Sequence, residues 1–212
     1  MRRYTGVRIL TQCLLDCDVG IFVGNDICRE AHTYIGENAN LFFEEEEDYL
    51  ISLAVGMAMA TDKRIFLFCE DQYFIRNMSE IMHAGVSKCR NLYMVLFVNG
   101  GYTVFDNVPN IFDSVNSQHG ILYNMCFLVH DYTKHFKNSR NPIKEVREIW
   151  DRARGPLAII LKTSKGTKSF PDPVMSERED LYKAREFIMN QDIKAHSFVP
   201  PFSIEDLNLE EN

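Results

Sequence analysis

Three short stretches put oxygen-bearing side chains directly after greasy runs. Gly24-Asn25-Asp26 follows the run Val19–Val23, Glu70-Asp71-Gln72 follows Ile65–Cys69, and Asn99-Gly100-Gly101-Tyr102 follows Leu92–Val98. The last two offer a carboxylate, a side-chain amide and glycine-rich backbone, a donor set made only of oxygen. Such a set suits a hard divalent cation such as Mg²⁺, which takes one or two protein oxygens and fills its octahedron with water or phosphate. The first stretch is a tight turn into a helix, whose first amide N–H groups can meet an anion. A metal over two strand ends and amides at a third together make a cradle for a diphosphate. The same residues also suit plainer roles, with Asn25-Asp26 and Asp71 as helix N-caps and Asn99-Gly100-Gly101 as a turn.

The cradle needs strands that end side by side. Five apolar runs have strand length: Val19–Val23, Ile65–Cys69, Leu92–Val98, Met125–Val129 and Leu157–Leu161. They are continuous rather than alternating, which predicts strands covered on both faces and hence a parallel sheet. Helical periods lie between them, over Tyr49–Thr61, Phe74–Val86 and Ile143–Arg154, and a first helix lies within residues 1–18. In the helix Ile143–Arg154, Ile143, Val146, Ile149, Trp150 and Ala153 share one face. Met57 and Met59 are expected in the core. The alternation predicts an α/β fold, a doubly wound and mainly parallel sheet with helices on both faces, in which ligands sit at the carboxyl ends of the strands. Residues 103–124 form a long irregular connection of the kind that is usually functional. The chain divides into a domain over 1–165 and an arm over 166–212 that is rich in proline and holds one helical stretch, Glu177–Met189.

Composition removes several classes. The 212 residues carry a net charge of −7 without a long Lys/Arg block, which argues against nucleic acid and anionic membrane as partners. No apolar run approaches the ~18–20 residues of a membrane span. The apolar stretch near the N-terminus is interrupted by Thr11, Gln12 and Asp16, so it reads as an ordinary helix of a cytoplasmic protein. The six cysteines form no CxxC pair and read as buried thiols. The histidines belong to no motif; His119, in the long connection, is the one to test as a proton donor.

At this point the residues resemble a known family. Thiamine diphosphate-dependent enzymes carry Gly-Asp-Gly-x-x-x-x-Asn at one strand end of their diphosphate-binding (PP) domain, then an Asn at the next strand end. Glu70-Asp71-Gln72-Tyr73-Phe74-Ile75-Arg76-Asn77 is similar to the first motif, and Asn99-Gly100-Gly101-Tyr102, 28 positions after Asp71, to the second. Gly24-Asn25-Asp26-Ile27-Cys28-Arg29-Glu30 resembles the Gly-x-x-x-Ser-Arg-Glu turn of phosphonopyruvate and sulfopyruvate decarboxylases. Gly155-Pro156-Leu157-Ala158-Ile159-Ile160 and Lys165-Gly166-Thr167-Lys168 resemble their last core strand and its exit. The resemblance implies thiamine diphosphate and Mg²⁺ as cofactors. Asp71, Asn99 and the Gly101 carbonyl would be metal ligands, Gly24, Asn25, Asp26, Gln72, Tyr73 and Tyr102 would contact the cofactor, and the segment 103–124 would close over it. It further implies decarboxylation of a small-molecule 2-oxo acid at a site completed by a separate Pyr-type subunit, with or without a homo-oligomer.

The chain also departs from the pattern. Glu70 and Gln72 replace both motif glycines, and Glu45-Glu46-Glu47-Asp48 stands where relatives have small residues. Carboxylates that close to a diphosphate repel it by about 1 kcal/mol per pair at 4 Å in water and about 4 at an effective dielectric of 20. A degenerate, non-catalytic subunit is therefore an alternative. So is a Pyr-type subunit that uses a Glu of the run Glu44–Glu47 ahead of the small-residue helix. The plain reading of that run is a charged helix start.

Overall fold

The computed structural model describes residues 1–35, 40–44, 48–98, 121–133, 136, 139–153, 155–164, 170, 181–183, 185, 186 and 188. Helices α1 (Arg3–Thr11), α2 (Asn25–Ile35), α3 (Leu50–Ala60), α4 (Asp71–Arg76), α5 (Met78–Val86) and α6 (Pro142–Arg152) surround six strands. These are β1 (Val19–Val23), β2 (Leu41–Phe43), β3 (Ile65–Glu70), β4 (Leu92–Val98), β5 (Leu128–Asp131) and β6 (Leu157–Lys162). They form one sheet in the order β2-β1-β3-β4-β6-β5, and every neighbouring pair is parallel. The α/β fold expected from the continuous apolar runs is the fold observed.

Alternate residues of the central strands feed two cores, one on each face. Ile65, Leu67 and Cys69 pack with α3 and α5, while Phe66 and Phe68 pack with α1, α2 and α6. The second face is an aromatic layer. Phe22 stacks on Phe68 at 4.5 Å and on Phe42 at 5.1 Å, and Phe66 meets Tyr93 and Trp150, each at 4.6 Å. Val146 and Trp150 of α6 are buried there, with Ile143, Ile149 and Ala153 packed partly against it, as the shared face predicts.

Polar anchors set the strand starts. Arg64 grips the fully buried Asp18 carboxylate with two donors at 2.8 and 2.7 Å, which locks the start of β1 to that of β3. The Asn91 side-chain amide donates to the carbonyls of Ala58, Thr61 and Lys63, closing the C-terminal end of α3. With these starts fixed, the strand ends fall where the register puts them.

Four local expectations are corrected. The last-but-one strand is Leu128–Asp131, not Met125–Val129, because a helical turn at 121–124 runs into Cys126 at φ 65° and the chain extends only after Phe127. It is an edge strand with alternating exposure, so its apolar run is not its buried part. β2 escapes the pattern because it has three residues. The helix expected over Phe74–Val86 begins at Asp71 and breaks at Asn77, whose φ and ψ of −112° and 30° are not helical. Met57 is buried, but Met59 is 58% exposed on α3.

Gly85 offers a direct test of this packing. A Cβ added there would lie 1.7 Å from the backbone oxygen of Met125, an obstacle that cannot rotate away. Gly85→Ala is expected to destabilise the protein by at least the ~1–3 kcal/mol typical of overpacking, measured by urea denaturation. A change within ~0.5 kcal/mol would contradict the close approach of α5 to this turn.

Candidate functional site

In the observed strand order the chain leaves β1 toward β2 on one side and returns to β3 on the other. The carboxyl ends of β1 and β3 therefore flank a topological switch point, where open α/β sheets bind ligands. Phe22 pairs with Phe68, so the register carried two residues further sets Gly24 level with Glu70 and Asn25 level with Asp71. On the other side Glu70 pairs with Phe97, which sets Asp71 level with Val98, the residue before Asn99. Two of the three expected stretches are thus brought together at the switch point. The third begins beyond the described residues: Asn99, Gly101, Tyr102 and His119 all lie outside them, as do Glu45, Glu46 and Glu47.

Gly24 turns the chain from β1 into α2 at φ 95°, a left-handed conformation that favours glycine. Its N–H donates to the Phe43 carbonyl at 2.8 Å and its carbonyl accepts from Cys28 at 2.9 Å. Gly24 therefore supplies the bend and not a donor, contrary to the expectation that it would hydrogen-bond the diphosphate. The first-turn N–H groups of Asn25, Asp26 and Ile27 have no acceptor within α2, and Asn25 is exposed.

Asp71 opens α4 and is 2% exposed, a buried carboxylate one residue beyond the sheet. Gln72 is half-buried beside it. Tyr73 is fully buried on the α3 side, where the backbone of Ile51 hydrogen-bonds its hydroxyl, and burial pushes its phenol up from the ordinary value. Its side chain belongs to the core, so only its backbone can face the crevice.

The charge cluster under the switch point has no counterpart in the sequence reading. Arg3, at the start of α1, is 6% exposed along its side chain. Its Nε and one terminal nitrogen grip the two oxygens of Glu30 at 3.2 and 3.0 Å. The same terminal nitrogen reaches Asp26 at 2.7 Å, and the other is hydrogen-bonded to Glu70. Glu70 shares its side of β3 with Phe66 and Phe68, the side that α1 and α2 cover. The carboxylate that replaces a motif glycine thus points beneath the strand ends. The start of α1 is itself pinned at the sheet's carboxyl edge, where Ser164 N–H donates to Met1 and Arg3 N–H donates to Ser164. No local signal could have found this cluster, because its members lie 23 to 67 positions from Arg3.

Burial pulls the Arg3 guanidinium down, but Glu30, Glu70 and Asp26 outweigh it and hold Arg3 above its ordinary value. For Glu30, burial dominates; with Asp26 and Glu70 adding repulsion, it overcomes Arg3 and raises the carboxyl. One cation facing three acids favours keeping a proton on the most buried acid.

Among the described residues, Asp71 is of a type that fits the group its pattern suggested. A buried carboxylate at the end of β3 is the oxygen ligand a hard cation takes, and the Glu70 carboxylate beside it is engaged by Arg3. Among the described residues no group of three His, Cys, Asp or Glu converges on a metal position.

No family model and no curated protein matches the sequence. Solved structures do match. A Mycobacterium smegmatis protein assigned as a thiamin diphosphate-dependent enzyme has a TM-score of 0.61 at 16% identity, over 77% of this chain and 32% of its own. Benzoylformate decarboxylase from Polynucleobacter necessarius gives 0.58 at 14% identity, over 82% and 34%, and transketolase from Leishmania mexicana 0.52 at 12%, over 74% and 30%. The fold is that of a thiamine diphosphate-enzyme domain. The chain spans about a third of the length of each of these structures. No helix among the described residues is long and apolar enough to cross a membrane.

The raised Glu30 carboxyl has a pH consequence. Its folded-state value lies above its unfolded one, so the stability it contributes is present below the ordinary carboxylate range. That stability is lost as pH rises through the folded value. Glu30→Gln removes this titration. The stability deficit of the variant, measured by denaturation between about pH 5 and about pH 8, is expected to shrink as pH rises. A deficit that is constant or grows with pH would contradict a raised Glu30 carboxyl.

Proposed function

We propose that this chain is the diphosphate- and Mg²⁺-binding subunit of a thiamine diphosphate-dependent 2-oxo acid decarboxylase. The observation that carries the reading is the buried Asp71 carboxylate at the end of β3, level with the turn that follows β1, at the switch point of a sheet with this fold. Asp71, with Asn99 and the Gly101 carbonyl, would hold Mg²⁺. The first-turn N–H groups of α2 and the backbone of Gln72 and Tyr73 would meet the diphosphate. Gly24, at φ 95°, bends the chain into α2, and in this reading that bend would turn those amides toward the crevice.

When bound, thiamine diphosphate supplies the carbanion stabilisation that decarboxylation of a 2-oxo acid requires. What this chain contributes is placement: the fixed strand starts set the strand ends, and the strand ends set the cofactor. The matched part is about a third of each solved structure that shares the fold. A separate Pyr-type subunit is the partner this reading requires. The likeness of the Gly24–Glu30 turn to that of phosphonopyruvate and sulfopyruvate decarboxylases favours a 2-oxo acid bearing a phosphonate or sulfonate.

Thermal denaturation with Mg²⁺ alone, thiamine diphosphate alone and both together, in wild type and Asp71→Ala, tests the proposal. Saturation at about 100 times Kd adds about 2.7 kcal/mol, a visible rise in Tm. The expected result is a rise in wild type with both ligands only, and none in Asp71→Ala. An equal rise in the variant would remove Asp71 from the metal site.

A further inference from the structure

Arg3 and Glu70 are a coupled pair whose geometry bears on anion binding. Glu70 sits level with Gly24 at the mouth of the switch point, where a free carboxylate would stand beside any bound diphosphate. Its side chain is 13% exposed and is held by Arg3 on the covered side of the sheet. Asp26 is in the first turn of α2, 63% exposed along its side chain, and its carboxylate is drawn to the same guanidinium at 2.7 Å. Glu30 takes the remaining fork of Arg3 and is 3% exposed, so it fixes the guanidinium in place from below. One buried cation thus reaches acids on both sides of the switch point.

We propose that Arg3 is the positioning residue of the site: it holds the Glu70 carboxylate beneath the strand ends, neutralises the exposed Asp26 carboxylate beside them, and so sets the charge that the crevice presents to an anion. This rests on the diphosphate reading for its consequence, though not for its geometry. Without Arg3, Glu70 and Asp26 lose their shared cation, and for the mostly buried Glu70 an unpaired carboxylate is costly. Glu70 then turns out toward solvent, which at that position is the crevice. The replacement of a small motif residue by Glu70 is tolerated because Arg3 accompanies it.

Inorganic pyrophosphate with Mg²⁺ is the probe, because it isolates the diphosphate contacts from the rest of the cofactor. Its affinity is measured calorimetrically in wild type, Arg3→Met, Glu70→Gln and the double variant, together with amide hydrogen exchange without ligand. The expected result is a loss of about tenfold or more in Arg3→Met, with most of it recovered in Arg3→Met/Glu70→Gln, since the acid no longer needs holding. Exchange in Arg3→Met should accelerate selectively at residues 24–30 and 70–73. Unchanged affinity in Arg3→Met, or no recovery in the double variant, would overturn the proposal. If wild type takes no pyrophosphate, the diphosphate reading falls. The exchange pattern then still decides the positioning claim: selective loss at the two turns upholds it, and loss spread evenly over the chain reduces Arg3 to a general stabiliser.

Discussion

A single guanidinium, carried into the molecule by the first turn of α1, faces three carboxylates that come from α2 and from the end of β3. Asp26 is exposed, but Glu30 and Glu70 are taken out of water with Arg3, and breaking such a buried pair typically costs about 3–5 kcal/mol because the remaining charge stays buried. The cluster therefore acts as a fastener with a fixed geometry. It ties the N-terminal helix to both sides of the switch point, and it decides which way the acids at the strand ends face. The bend at Gly24 and the buried Asp71 lie beside that cluster at the switch point.

The sheet supplies the rest by simple means. Its amino edge is locked by the Arg64–Asp18 fork and by Asn91, and its two faces are filled by alternating residues of the same strands. Parallel order then brings the three carboxyl ends of β1, β3 and β4 into one row. Such a row is where a cofactor shared between strands can be held, and the solved structures with this fold bear names of thiamine diphosphate enzymes.

Much of this was legible in the sequence, for physical reasons. Val19–Val23, Ile65–Cys69 and Leu92–Val98 read correctly because strands buried on both faces need continuous apolar runs. β5 was misplaced because an edge strand is wet on alternate residues, so its apolar run marks the turn before it. β2 was too short to leave a period. At the switch point, Gly24 stands at the bend and Asp71 is buried just past β3, while Gly24's N–H is taken by Phe43 and Tyr73's ring by the core. Glu70 read as a defect, a charge where a small residue belongs. Its counter-charge lies 67 positions away, and periodicity carries no information at that distance.

The central claim is that the switch point accepts a diphosphate through a metal held at Asp71. Isothermal titration of the protein with thiamine diphosphate and with thiamine, each with and without Mg²⁺, addresses it most directly. The account predicts one saturable site for thiamine diphosphate that requires Mg²⁺, and no binding of thiamine, which lacks the diphosphate. Equal binding of thiamine, or binding of thiamine diphosphate that ignores Mg²⁺, would contradict it.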